Sequence, residues 1–205
     1  MPKTVDHHAR RTRIADALIR VAARQGLEAV SLRQVAAEAG VSTGMVQHYF
    51  RDKNAMMAFA LRAVAERVQD RLEQARPDTL PPKESVRGFL MQLLPLDGER
   101  AVEGKAALAF QAHAAVHSDV AGAVLPDPEP LRAHIADLIR SARAEGAKQA
   151  GAGGAPARSK VPAPYPAAVA LLALAEGLGT QILTRECSPE DAVTALDAQL
   201  DTAFG

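Results

Sequence analysis

The stretch "SLRQVAAEAGVSTGMVQHYF", Ser31 to Phe50, constrains the fold more tightly than any other part of the chain. Ser31 is a natural N-cap, Leu32, Val35 and Ala36 form one apolar face at helical spacing, and Gly40 closes the run. Ser42 then caps a second short helix through about Tyr49. Only "AGVS" links the two. Two short helices joined by a Gly-containing turn are the sequence form of a helix-turn-helix.

The second of these helices has an unusual make-up. Val41, Val46 and Phe50 can pack inward on Leu32, Val35 and Ala36, leaving Thr43, Met45, Gln47 and His48 facing outward. Gly44 costs about 1 kcal/mol of helix propensity relative to Ala, so it asks for a reason. A short helix lying in a DNA major groove supplies one, because a position without a side chain lets the backbone approach closely. Gln pairs bidentately with adenine, and Thr or Met can touch a thymine methyl. The competing reading leaves Gln47 and His48 merely solvated on a surface helix.

Composition and periodicity extend the helical reading to the whole chain. Hydrophobic residues make up 48 % and lean on Ala, Leu and Val, while there are only five Phe, two Tyr and no Trp. That balance predicts an all-α fold. Apolar spacing predicts about nine helices: 10–25, 31–39, 42–49, 53–75, 84–94, 100–117, 129–146, 166–185 and 189–203. We expect a head at residues 1–53 and a larger helical body at 54–205. The segment "GAKQAGAGGAPARSKVPAPYP", residues 146–166, has four Gly and four Pro and is expected to be a flexible loop. Its "GAGGAP" lacks the preceding strand and following GK[ST] of a phosphate cradle.

Charge divides along the same boundary. Residues 1–53 hold nine Lys/Arg against five Asp/Glu, a net +4, in a chain whose formal charge is zero. A basic head on an acidic body suits a polyanionic partner. The N-terminal "MPKTVDHHARRTR" lacks the apolar core of a secretory signal. The longest apolar run, "AAVALLALAEGLG", is interrupted by Glu176 and reads as too short for a bilayer. Cys187 is the sole cysteine, which excludes an internal disulfide and a cysteine-type zinc site. Beside Glu186 it reads as an inert thiol. These features predict a cytoplasmic protein that makes no membrane contact. An enzyme reading finds no Ser/His/Asp arrangement, paired carboxylates, cofactor fingerprint or metal cluster, so neither catalytic residues nor a cofactor are assigned.

The run "RIADALIRVAARQGLEAVSLRQVAAEAGVSTGMVQHYFRDKNAMMAFAL" strongly resembles the N-terminal DNA-binding domain of the TetR/AcrR family of transcriptional regulators. The resemblance spans about 50 residues, including the Gly that ends the first helix and the "G-x-V-x-H-Y-F" of the third. It implies phosphate contacts from Ser31, Arg33 and Lys53. It also implies major-groove contacts from Thr43, Gly44, Gln47 and His48, and a backbone contact from Tyr49. Gln47 stands where the family often has Tyr. The basic arm, Arg10 and Arg13 especially, can add contacts or be disordered off DNA.

The closing region, "LALAEGLGTQILTRECSPEDAVTALDAQL", resembles the BetI-like C-terminal class. The family pattern implies a homodimer and a pocket for a small-molecule effector. "PAAVALLALAEGLGTQIL" is apolar nearly all round, so more than one side must be covered. Leu172, Ala175, Gly179 and Ile182, with Val193, Leu196 and Leu200, are expected at a two-fold four-helix interface, Gly177 and Gly179 permitting close approach. The alternative is that both helices are buried within one subunit. Met91, Leu94, Phe110, His113 and His117 are candidate pocket residues; the two histidines lack a third partner for a metal site. The resemblance implies a repressor released from a palindromic operator. The alternatives are an activator, or a DNA-binding protein whose body binds another protein.

Overall fold

The computed structural model describes residues 3–74, 80–116, 127–149 and 162–205. Among these residues there are nine α-helices and no strand. They are α1 (Lys3–Gln25), α2 (Leu32–Ala39), α3 (Thr43–Tyr49), α4 (Lys53–Gln74), α5 (Pro82–Leu93), α6 (Gly98–Val116), α7 (Glu129–Gln149), α8 (Pro164–Thr184) and α9 (Pro189–Phe204).

The helices form two compact units that are not consecutive in sequence. One takes the described residues of 1–70 and 97–127, the other those of 71–96 and 128–205. The sequence boundary at residue 53 therefore does not coincide with the division by contact: most of α4, and all of α6, go with the head. The reason lies in α6, where Ala106 and Phe110 are about 1 % exposed and belong to the same apolar cluster as Ile14, Leu18 and Val21 of α1. Local periodicity shows that Phe110 is buried; it does not show against which helix.

Two charged contacts reinforce this core. The guanidinium of Arg67 on α4 donates to Asp16 of α1 at 2.8 Å and lies 3.1 Å from the carboxylate of Glu103 on α6. Glu103 is 7 % exposed, so its charge is tolerated because a cation sits against it. Asp97 Oδ1 accepts the backbone N–H of Arg100 at 2.8 Å and so caps the start of α6. That bond, with the Arg100 side chain, holds the Asp97 carboxyl below its ordinary range.

In the second unit α8 is the central element, packing on α5, α7 and α9. By length and composition α8 is long enough to cross a bilayer, against the expectation that Glu176 cuts the run short. Protein covers one side of it here: Ala167, Ala168, Leu171 and Ala175 are fully buried in the unit's core. Arg87 of α5 makes a two-point ion pair with Asp197 of α9, at 2.6 and 3.0 Å, and Lys83 pairs with Asp201 one turn along each helix. Arg143 of α7 donates to the carbonyl oxygens of Ala203 and Pro162, holding the end of α9 and the approach to α8.

Several boundaries differ from the sequence reading, α5 and α6 each beginning two residues earlier than expected. Helix α1 begins at Lys3 rather than near residue 10. Its first turns have no apolar periodicity to reveal them, and His7 to Arg10 are exposed. Helix α7 runs on through Gly146 to Gln149, and α8 starts at Pro164, so the expected loop at 146–166 is trimmed from both ends. Proline is accommodated at the start of α8 because the first N–H groups of a helix have no intrahelical partner to lose. The remainder of that segment, 150–161, lies outside the described residues.

Candidate nucleic-acid interface

The helix-turn-helix is assembled from local signals that were all present in the sequence. Gly26 ends α1 at φ +77°, a conformation that favours glycine, and its N–H reaches Ala22 O at 2.9 Å. Ser31 caps α2, its Oγ accepting from Gln34 N at 3.3 Å. Gly40 ends α2 at φ +66°, with the N–H of Val41 returning to Ala36 O at 3.0 Å. A Cβ at Gly40 would also come within 3.2 Å of the Arg13 guanidinium. Ser42 then caps α3 by accepting from Met45 N at 3.2 Å. Val46 and Phe50 fasten α3 inward, at 0 % and 2 % exposure.

What remains on α3 is an outward face. Thr43, Gly44, Gln47 and His48 are all exposed, Met45 and Tyr49 half-buried. A Cβ added at Gly44 would meet nothing within 4 Å. No crowding inside the chain therefore requires glycine there, and the propensity cost is unexplained by the subunit's own packing. Ser31 and Arg33 are exposed at the start of α2. The Ser31 hydroxyl donates to Gln34 Oε1 at 2.9 Å, so its proton is engaged within the chain. Lys53 opens α4, half-buried, with its ammonium donating to Leu27 O at 3.0 Å. An ammonium has three donors, so that bond leaves capacity for an anion.

Arg10 and Arg13 line a cleft of about 230 Å³ with Ile14, Val41 and Met45, which places two cations of α1 beside the first turn of α3. Nearby, Glu38 of α2 bridges Arg20 and Arg24 of α1, accepting from Arg20 Nε at 2.7 Å. Hydrogen bonds from Arg24 and then Arg20 hold its carboxyl below the ordinary value of 4.5. This bridge fixes α2 on α1 and so sets the platform from which α3 projects.

Sequence reasoning missed one group of residues. His7 on α1 lies edge-on to Tyr49, ring centroids 4.6 Å apart, and 6.0 Å from His48. Arg11 sits over the rings of Phe59 and Phe50, at 4.4 and 5.2 Å. No apolar periodicity marks these positions; the only signal is the clustering of His and Arg before Ile14.

The other candidate positions are distributed differently from the sequence reading. Leu94 is fully buried and Met91 half-buried in the core of the second unit, whereas Phe110 belongs to the core of the first. His113, also in the first unit, has Nδ1 3.0 Å from Glu28 Oε1. His117 lies outside the described residues. Of the residues expected at a dimer interface, Ala175, Leu196 and Leu200 are 0 % exposed within the single chain and Leu172 is 8 %. Gly179 faces Leu93 O and Pro95 of its own unit. Those five serve the subunit's own core, because the apolar face of a helix does not specify which partner covers it. Ile182 and Val193 stay half-buried, and Gly177 is exposed with open space where a Cβ would lie. Cys187 is half-buried, its Sγ 3.4 Å from Ser188 O. Among the described residues no three His, Cys, Asp or Glu gather as metal ligands.

Comparison with known proteins gives this geometry its family. Residues 14–60 match the bacterial regulatory proteins of the tetR family, and residues 82–205 match the C-terminal domain of BetI-type transcriptional repressors. The chain is 39 % identical over 120 residues to the HTH-type transcriptional regulator PksA of Bacillus subtilis, a match covering 58 % of each protein. A crystal structure of a transcriptional regulator from Rhodococcus sp. Rha1 superposes with a TM-score of 0.76 at 31 % identity, covering 95 % of both chains. A regulator from Saccharomonospora viridis, crystallised in complex with choline, has a TM-score of 0.75 at 25 % identity and covers 95 % of this chain and 96 % of that one. With the capped helix-turn-helix, the exposed outer face of its second helix and both halves of the chain matched, this protein belongs to the TetR family and is a DNA-binding transcriptional regulator.

Proposed function

We propose that the protein is a homodimeric repressor that leaves a palindromic operator when a small-molecule effector binds. The observation that carries the DNA-reading part is Gly44, a helix-weakening residue on an exposed face with nothing in its own chain to crowd it. Its benefit lies in the approach of the α3 backbone to a duplex. Thr43, Gln47 and His48 then reach base edges, while Tyr49, Arg33 and Lys53 hold phosphates, with Ser31 at the start of α2 beside them. Two copies of α3 must stand about 34–36 Å apart, or a multiple of that, to enter successive major grooves.

The second copy is met through the outward faces of α8 and α9. Ala170, Ala173 and Gly177 are exposed on α8, and Ala195, Ala198 and Thr202 on α9. Small side chains on both helices suit a close two-fold four-helix contact, with Ile182 and Val193 as its larger apolar members. The chain works where the chromosome is, in the cytoplasm. Choline, held by the Saccharomonospora regulator, is the first effector to assay, although recognition of a quaternary ammonium calls for aromatic faces. In the second unit the aromatics are Phe89, Tyr165 and Phe204.

The test is selection of bound fragments from the source genome by the purified protein, followed by two substitutions assayed on the recovered duplex. Gln47→Ala is expected to relax preference at one base pair by about 1–3 kcal/mol. Lys53→Ala is expected to weaken binding to all sequences alike and to flatten the salt dependence. Unchanged preference in Gln47→Ala removes that residue from base readout; protein that selects no fragment at low salt removes the operator altogether.

A further inference from the structure

The first turns of α1 pose a question that core packing does not answer. Among the side chains described there, His7 to Arg13, none belongs to the buried cluster, yet the helix continues through them. What these turns touch is the exit of α3. Arg11 lies between the faces of Phe50, the residue that closes α3, and Phe59 of α4. Its Nε is buried with no hydrogen-bond partner among the described residues, while both rings lie within cation–π range of the guanidinium. That contact fixes the path of α1 at this point. One turn earlier, His7 meets Tyr49 edge to face at 4.6 Å, with the planes at 70°. Tyr49 in turn meets His48 at 5.3 Å and 78°. Three rings, one from α1 and two from α3, thus stand against one another at the end of the recognition helix.

A tyrosine at the end of a surface helix normally samples several rotamers, and binding must freeze one of them. Here the ring is already enclosed between two neighbours. We propose that His7 is a positioning residue of the nucleic-acid interface: its ring sets Tyr49, and through Tyr49 the outward His48, before a duplex arrives. The inference rests on the reading that Tyr49 faces DNA. It assigns a task to the α1 extension that the helix-turn-helix itself does not include.

Two readouts test it, one of them without DNA. Tyr49 and Tyr165 are the only tyrosines, so tyrosine-labelled protein gives two ring spin systems, which Tyr165→Phe assigns. In wild type the Tyr49 ring signals are expected to be displaced by the neighbouring rings, and in His7→Ala to return toward free values while Tyr165 stays unmoved. On the selected duplex, His7→Ala is expected to weaken binding about three- to tenfold, up to the full size of an edge-on aromatic contact, with the melting temperature lowered by no more than about 2–4 °C because that contact is already made in the free protein. His7→Phe, which keeps a ring, should recover the loss to within about twofold on the same argument. In a Tyr49→Ala background, His7→Ala should cost nothing further. Independent, additive losses overturn the proposal, as does His7→Phe binding as weakly as His7→Ala with a shallower salt dependence, which makes His7 a phosphate ligand in its own right. Unchanged binding in His7→Ala alongside weakened binding in Tyr49→Ala overturns the inference alone. Unchanged binding in Tyr49→Ala overturns the reading beneath it as well.

Discussion

Gly44 and Glu38 show how single residues serve opposite ends here, one sacrificing stability and the other supplying it. Gly44→Ala places a methyl group in open space, so α3 is expected to gain about 0.5–1 kcal/mol. In the docking we propose, the same methyl group would stand between the backbone and a groove, so operator affinity is expected to fall while the melting temperature rises. Calorimetry and fluorescence anisotropy on one preparation measure both signs. Glu38 works the other way. Its carboxyl titrates below 4.5 when folded, so the bridge to Arg24 and Arg20 contributes fully above the unfolded value and is lost as pH falls through the folded one. The arginines are largely exposed, which limits the contribution to about 1 kcal/mol. Glu38→Gln is therefore expected to melt about 2–4 °C below wild type at pH 7. The two curves should converge once the pH lies below the carboxylate range.

At the level of elements, helix ends were legible in the sequence wherever a cap makes them. Ser31, Ser42 and Ser188 open α2, α3 and α9 by accepting a backbone N–H, and Gly26 and Gly40 stop α1 and α2. Ends without such chemistry were not: the first turns of α1 have no apolar beat, and His7 to Arg10 are exposed. The exposed face of α3 was legible because Val46 and Phe50 point inward by period alone. The aromatic clasp of His7 and Arg11 was not, because residues about forty positions apart meet only once the chain has folded. Ala175, Leu196 and Leu200 carry the same lesson, since periodicity identifies the buried side of a helix but not its cover. Arg143 is another long-range contact of this kind. It satisfies the Ala203 carbonyl, one of those that a helix end leaves without an intrahelical donor. Arg143→Ala is expected to destabilise the second unit by about 2 kcal/mol, read as a lower urea midpoint at unchanged slope. An unchanged midpoint would show that water serves that carbonyl equally well.

For the whole molecule, the repression and release we propose are one equilibrium seen from two sites. If effector weakens the hold on operator by some factor, operator must weaken the hold on effector by that same factor, typically about 5–150-fold. Titrating each ligand with and without the other measures both, and unequal factors at equilibrium rule out a simple two-state regulator. The interleaving of the chain has a practical corollary for anyone exchanging reading heads between relatives. Cutting after the helix-turn-helix leaves behind Ala106 and Phe110, which share a core with α1, and bares the side of α1 that they cover. A transplant that keeps this underside shielded must carry α6 along with the head, so the seam between donor and recipient falls at three places in the gene instead of one.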